Sequence, residues 1–239
     1  MMKRSVLMRK LIICAGVFAA FSAFIFQSNV YAVDTTESVY EMNYVSLGAG
    51  FLFHKYTGMD NFREKTGYFS NDDQINFGLG FQFNGELMLN KTFSLNTPVG
   101  LAVGYRWQAI TGGYTYSSAY MGKLTREVNI TNNIAYFSAA FPLDSQKYCY
   151  LGALAGIGAS TYELKWEWSD KKSGVTYSPD INKSAKGFVV PVGVFLDWGS
   201  DGIGGRLGAE YMFSKYSKID GSKPNGNGYQ IYLNLRYAI

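Results

Sequence analysis

The chain has 239 residues, of which 47% are hydrophobic, 17% aromatic and 17% charged, with 27 Gly, 5 Pro, 2 Cys and 1 His. That composition describes one ordered domain and excludes a disordered chain, a collagen and a disulfide-dense mini-protein. The formal charge of +4 is the balance of 22 basic and 18 acidic residues; Lys3, Arg4, Arg9 and Lys10 all precede Ala32, and every acidic residue follows it. Without its first 32 residues the chain carries 18 charges of each sign, so the basic balance implies no nucleic-acid partner.

Those four basic residues, an uncharged run over 11–26 and the small-residue ending Val30-Tyr31-Ala32 form a secretory signal pattern. Cleavage is expected after Ala32. The 16-residue apolar run is shorter than the roughly 20 residues with which a helix crosses a bilayer. Cys14 is preceded by Ile13, which is not small, and most of the apolar run follows it, so lipidation is not expected. Removal of the signal leaves Cys149 alone, with no internal disulfide to form.

Beyond residue 40 the pattern is alternation. The first strand is expected over 45–53. Over 74–90 the odd positions Ile75, Phe77, Leu79, Phe81, Phe83, Leu87 and Leu89 are apolar, and the even ones are mainly Gln74, Asn76, Gly78, Gly80, Gln82, Asn84 and Glu86. This is a period of two, the signature of a strand with two unlike faces. A third strand over 99–109 sets Leu101, Val103, Tyr105 and Trp107 against Gly100, Gly104, Arg106 and Gln108. The fourth and fifth, over 128–142 and 148–168, are less regular: Asn132 and Asn133 interrupt one, and the other changes phase between Ile157 and Tyr162. A bulge is expected at each break. Phe188 to Trp198 form the sixth strand, Leu207 to Phe213 the seventh and Tyr229 to Ile239 the eighth.

The expected connections, 57–73, 90–97, 111–126, 142–147, 169–186, 199–204 and 216–227, alternate between long and short, so the long ones share one end. Volume decides which face is outside. An eight-stranded barrel encloses only enough space for its own side chains, and stripes containing Phe77, Phe81, Phe83, Trp107, Tyr211 and Phe213 would overfill it. The apolar face therefore looks outward, onto lipid. Phe188 and Trp198, ten residues apart, span about 25 Å of tilted strand, the height of an apolar band between aromatic girdles. The girdle is assigned to Trp107, Trp166, Trp168, Phe188, Trp198, Tyr229 and Tyr237. Pairing Leu196 with Leu207 outside makes Asp197 and Arg206 neighbours inside, where Glu86, Arg106, Glu210 and Arg236 complete a lumen network of mixed sign.

The expected fold is all-β: a closed eight-stranded antiparallel up-and-down transmembrane barrel over 41–239, preceded by a signal peptide over 1–32 and a short periplasmic segment over 33–40. On this architecture and the alternating carboxyl-terminal strand, the chain resembles the small eight-stranded outer-membrane proteins, the group of the OmpA transmembrane domain, OmpX and OmpW. The resemblance implies a bacterial outer-membrane location, both termini periplasmic, long loops extracellular, and outer-membrane lipids as partners. It also implies recognition of the last strand by the outer-membrane assembly machinery, although that group usually ends in Phe or Trp and this chain ends in Ile239 with Tyr237 two residues before it.

No catalytic, cofactor or metal residue is assigned. His54 is the one imidazole, and His54-Lys55-Tyr56 does not match the His-x-Ser arrangement of outer-membrane lipid-modifying enzymes; a hydrogen-bonded wall residue is the better reading. One His and one Cys on different strands make no metal cluster. Tyr114, Tyr116 and Tyr120 around Ser117 and Ser118 could continue two strands as a hairpin above the membrane, able to bind a host or surface protein by strand addition, or could simply form girdle. Trp166-Glu167-Trp168 with Tyr162 and Leu164 reads the same two ways, and Lys171, Lys172, Lys183 and Lys186 suit contact with an anionic surface glycolipid. A non-catalytic surface barrel is therefore expected. The alternative is a narrow OmpW-like pore, for which Tyr44, Leu52, Phe195, Met212 and Tyr232 are the large side chains expected inside. A lipid-modifying enzyme using His54 is the third reading.

Overall fold

The computed structural model describes residues 40, 43–57, 77–118, 122–143, 148–169, 176–177, 183–200, 202–219 and 224–239, all within one unit, Glu37–Ile239; for 114–118, 122–126, 166–169, 176–177, 183 and 200 the backbone alone is described. Ala32 and the signal segment lie outside these residues. The strands are β1 (Val45–Tyr56), β2 (Phe77–Met88), β3 (Gly100–Ser118), β4 (Gly122–Pro142), β5 (Cys149–Ser169), β6 (Thr176–Tyr177), β7 (Lys183–Ser200), β8 (Ile203–Tyr216) and β9 (Gly228–Ala238). Eight of them pair antiparallel in the order β1-β2-β3-β4-β5-β7-β8-β9, and β9 returns to β1, which closes the barrel; β6 is a two-residue addition to the end of β5. Closure leaves no strand edge around the wall, the condition for a sheet to stand in hydrocarbon.

The lower end is where the chain enters β1 and leaves β9. There, Tyr44 and Val45 donate their backbone N–H groups to the Ile239 carbonyl, and Ile239 donates to the Val45 carbonyl. Tight turns sit at this end. β7 and β8 pair as far as Ser200 opposite Ile203, so the chain reverses over two residues, and Gly202 has φ +84°, a conformation only glycine adopts freely. Between β2 and β3 the expected plain turn contains one helical turn, α1 (Leu89–Thr92). Asn90, expected to end the second strand, instead ties that connection down: its Nδ2 donates to the Val99 carbonyl and its Oδ1 accepts from the Leu101 N–H.

Burial alternates along the described parts of the eight barrel strands. Outward positions include Phe51 at 80% exposure and Leu235 at 76%, with Phe53, Phe77, Phe81, Phe83, Ile157 and Leu233 also exposed. Water-facing surface does not carry so continuous an apolar belt; lipid-facing barrel surface does. Trp107 packs on that belt, its ring 5.4 Å from Phe81 and 6.1 Å from Phe83.

Neither expected bulge exists. β4 keeps one register with β3 and with β5 throughout, so Asn132 points inward and is buried while Asn133 points outward and accepts a hydrogen bond from the Tyr105 hydroxyl at 2.6 Å. In β5 the even residues face inward from Leu154 to Tyr162; the apparent change of phase arises because apolar side chains fill the upper lumen there. The β5–β7 ladder skips Gly156 and Ile157, which lie beside Pro191, a residue with no N–H to donate. The expected connection over 111–126 is in fact a hairpin: β3 runs to Ser118 and β4 starts at Gly122. Aromatic and β-branched residues such as Tyr114, Thr115 and Tyr116 favour that extension.

Candidate functional site: the charged lumen

Side chains from all eight barrel strands fill the lumen with three layers of polar groups enclosed by apolar ones. The lowest layer is ionic. The Arg206 guanidinium donates from Nε to Asp197 Oδ1 at 2.6 Å and from Nη1 to Glu86 Oε1 at 2.5 Å, and its Nη2 reaches Asp197 Oδ2 at 2.8 Å. Asp197 and Arg206 are direct partners across β7 and β8. Arg236 on β9 donates to the same two carboxylates, through Nη1 to Asp197 and Nη2 to Glu86, and from Nε to Ser46 Oγ at 3.2 Å. Two arginines thus hold two carboxylates, each guanidinium bridging both acids.

One layer higher, Arg106 on β3 and Glu210 on β8 form a two-pronged pair across the barrel, with both N···O distances 2.6 Å. Buried charges need this matching, because an unpaired one would cost several kcal/mol. Aromatic faces complete the solvation: Arg206 lies 4.0 Å above the Phe195 ring, and Arg106 sits 5.6 Å from the Tyr136 ring and 5.5 Å from that of Tyr232. Glu86, Arg106, Asp197, Arg206, Glu210 and Arg236 are all brought together here.

The third layer is a ladder of amides. Asn234 donates to Asn84 at 3.1 Å, Gln82 to Asn234 at 2.9 Å, Gln108 to Gln82 at 2.7 Å, Asn132 to Gln108 at 3.3 Å and Ser160 to Asn132 at 2.6 Å. Because Ser160 spends its one hydrogen on Asn132, the Tyr216 hydroxyl is the donor in their 2.8 Å contact. Parity marked Gln82, Asn84, Gln108 and Asn234 as inward; Asn132 and Ser160 fall where it broke down, Tyr216 fell in an expected connection, and nothing in a linear sequence gave their mutual reach.

Two apolar clusters close the stack. The upper one joins Leu52, Tyr56, Ile110, Val128, Ile130, Tyr162, Tyr216 and Tyr232. The lower one surrounds the ion pairs and includes Tyr40, Met88, Ile134, Tyr150, Leu154, Phe195 and Met212. The expectation of few large inward side chains is therefore corrected: Leu52, Phe195, Met212 and Tyr232 are inward, many others join them, and Tyr44 is exposed. Tyr40 was missed altogether because it precedes the first strand and has no parity to read. It folds back beneath the lumen, its hydroxyl donating to Asp197 Oδ2 at 2.9 Å and its ring 5.0 Å from Tyr150. Gly100 makes room for it, since a Cβ there would lie 2.5 Å from the Tyr40 ring. Tyr136 was missed as well, and it donates to Glu86 at 2.9 Å. A cavity of about 30 Å³ beside Asp197 and Arg236 at the lower end has room for a water molecule or two.

His54 is buried between Gly78 and Gln230, with the Tyr56 ring 4.5 Å away, and no serine or acid is its cross-strand neighbour. The Gly226 backbone and the Gln230 side chain are the polar groups that face its ring, and it stands as a buried residue of the lumen wall. Among the described residues no group of three or more His, Cys, Asp or Glu side chains could hold a metal ion. Of the girdle residues, Phe188 and Tyr229 are exposed toward the upper end and Trp198 and Tyr237 toward the lower, and Trp107 lies mid-strand. The side chains of Trp166, Trp168, Tyr114 and Tyr116 lie outside the described residues, as do Tyr120, Lys171 and Lys172; Lys183 begins β7 and Lys186 is exposed.

A closed antiparallel barrel with an apolar exterior and a charged, internally paired interior defines a membrane-spanning β-barrel protein of the outer-membrane class. No protein-family model matches the sequence, and no curated protein matches it. Among solved structures, Ail, the attachment invasion locus protein of Yersinia pestis, is 13% identical with a TM-score of 0.38, over 82% of this chain and 99% of Ail. OprG, an outer membrane protein of Pseudomonas aeruginosa, is 8% identical with a TM-score of 0.45, over 83% of this chain and 98% of OprG. The outer membrane protease OmpT of Escherichia coli is 12% identical with a TM-score of 0.37, over 87% of this chain and 100% of OmpT. At these identities the likeness is one of fold alone, and the class rests on this chain's own geometry.

Proposed function

We propose that the protein is a non-catalytic surface barrel of the bacterial outer membrane, a closed rivet in the envelope that presents its upper end for contact with other molecules. The observation that carries this reading is the filled lumen: among the described residues, paired charges, an amide ladder and two apolar clusters occupy the barrel interior. In this reading residues 1–32 are a signal peptide removed after Ala32, residues 33–40 lead into the barrel from the periplasm, and both termini are periplasmic. The last strand, Tyr229 to Ile239, is what the assembly machinery engages. The upper end, reached by the long connections, is extracellular.

The part best placed to meet a host or surface protein is the extension of β3, β4 and β5. Pairing between β2 and β3 runs to Thr111, whereas β3 and β4 continue paired to Ser118 and Gly122. Seven further residues at about 3.3 Å each carry that sheet about 20 Å onward along the strand direction. His54 supports no catalysis in this reading, because its cross-strand partners are Gly78 and Gln230, neither a nucleophile nor an orienting acid.

Conductance of the purified, heat-modifiable protein in planar bilayers tests the proposal. Silence from a folded barrel is the expected result. Discrete steps whose size changes in Arg106→Ala would replace it with the narrow-pore reading.

A further inference from the structure

The outward lysines of the upper rim are unevenly distributed. Lys186 on β7, Lys215 on β8 and Lys55 on β1 all point away from the lumen and are exposed, and none is in an ion pair among the described residues. The acidic side chains described as facing outward, Glu127 and Glu163, lie on β4 and on β5, the strand next to β7. Glu127 stands opposite Lys165 and accepts from Asn129 at 2.6 Å. Glu163 borders the lysine arc diagonally, since its partner on β7 is Ser184 while Lys186 pairs with Thr161.

Each lysine stands among rings or just beyond one. Lys215 is the cross-strand partner of Phe188, Lys55 is that of both Phe77 and Tyr229, and Lys186 lies two residues beyond Phe188 toward the upper rim. Those rings are exposed. Below them the outward surface of β7 and β8 is apolar, with Val190 opposite Phe213, Val192 opposite Tyr211 and Val194 opposite Ala209. A flexible lysine stem lies along such a surface and lifts its ammonium to the level of lipid headgroups. Point cations at that height, above an apolar wall, complement a phosphate attached to acyl chains.

We infer that the arc of Lys186, Lys215 and Lys55 is a docking surface for a phosphorylated glycolipid of the outer leaflet, with phosphate on the lysines and acyl chains along the β7–β8 wall. This rests on the outer-membrane reading and names a partner for it. The occupant is a lipid because the lysines crown a wall that already faces hydrocarbon.

The test uses the protein folded into phosphatidylcholine nanodiscs containing either bisphosphorylated lipid A or lipid A stripped of both phosphates. Bound lipid is measured by native mass spectrometry across a titration. Lys186→Gln with Lys215→Gln is expected to weaken binding of the phosphorylated lipid about thirty-fold, near five-fold per lysine, and to leave the stripped lipid unaffected. Lys91→Gln, at the opposite rim beside Tyr44, is the control and should change nothing. Unchanged binding in the double variant overturns the inference, and so does equal binding of the two lipids by the native protein. A loss confined to a soluble sulfated oligosaccharide would assign the lysines to a soluble polyanion and also overturn it. A chain that never becomes heat-modifiable in the nanodisc overturns the membrane reading as well; a folded barrel indifferent to Lys186 and Lys215 overturns this inference alone.

Discussion

Tyr40 and Asp197 are 157 positions apart in the chain and joined by one hydrogen bond of 2.9 Å. The tyrosine comes from the segment before the first strand, and the aspartate is one of the two acids shared by Arg206 and Arg236. The entering chain is thereby fastened to the charged interior.

Tyr40→Phe removes that bond and keeps the ring. A hydrogen bond to a charged group contributes about 1.5–3 kcal/mol, so the variant should unfold at lower urea concentration by that margin. Tyr40→Ala should lose more, because the ring also fills space beneath Tyr150. Equal stability of Tyr40→Phe and the native protein in a reversible detergent unfolding assay would contradict the assignment.

Arg106 and Glu210 offer a double-mutant cycle. Arg106→Met or Glu210→Leu alone strands a buried charge and should cost about 3–5 kcal/mol. Arg106→Met combined with Glu210→Leu replaces both charges by apolar bulk and should recover most of that loss. Additive losses across the cycle would mean the two side chains do not meet.

Phe51 and Phe77 probe the exterior. Phe51 lies mid-strand and Phe77 at the start of β2 on the upper rim. In bilayers, Phe51→Arg is expected to cost about 2–4 kcal/mol and Phe77→Arg about 0–1, since the penalty for a charge falls from midplane to interface. Equal penalties at the two positions would be inconsistent with a lipid-facing belt.

Asn132 and Asn133 are adjacent and chemically identical, yet they face opposite sides. Asn132→Leu should destabilise by about 1–3 kcal/mol by leaving Gln108 and Ser160 short of a partner. Asn133→Leu, on the apolar exterior, removes one exposed hydrogen bond from Tyr105 and should cost less, about 0.5–1 kcal/mol. A reversed order would mean β4 has slipped by one residue.

Much of this architecture could be read from alternation, because a strand with unlike faces writes its pairing face into every second residue. Asp197 and Arg206 even specified a register, since opposite charges inside and leucines outside can coincide in only one alignment of β7 and β8. The same rule failed for β5. It assumes the lumen is polar, and Tyr162 and Leu164 make the upper lumen apolar, so a continuous strand looked broken. Because polar strand residues above a membrane resemble loop residues, the β3–β4 hairpin was legible only as one of two readings of Tyr114, Tyr116 and Tyr120; β3 does run to Ser118. Tyr40 was invisible because it precedes the first strand, where no periodicity marks the direction of a side chain.

The four groups of the lowest ionic layer arrive on β2, β7, β8 and β9, on both sides of the seam where β9 meets β1. During assembly, therefore, Glu86 cannot reach Arg236 until the final strand has docked. A two-residue slip at that seam preserves every inside and outside face but carries Arg236 about 7 Å from both carboxylates. The charged layer thus acts as a checkpoint on closure: alternation alone would accept several alignments of the last strand, and the arginines accept one.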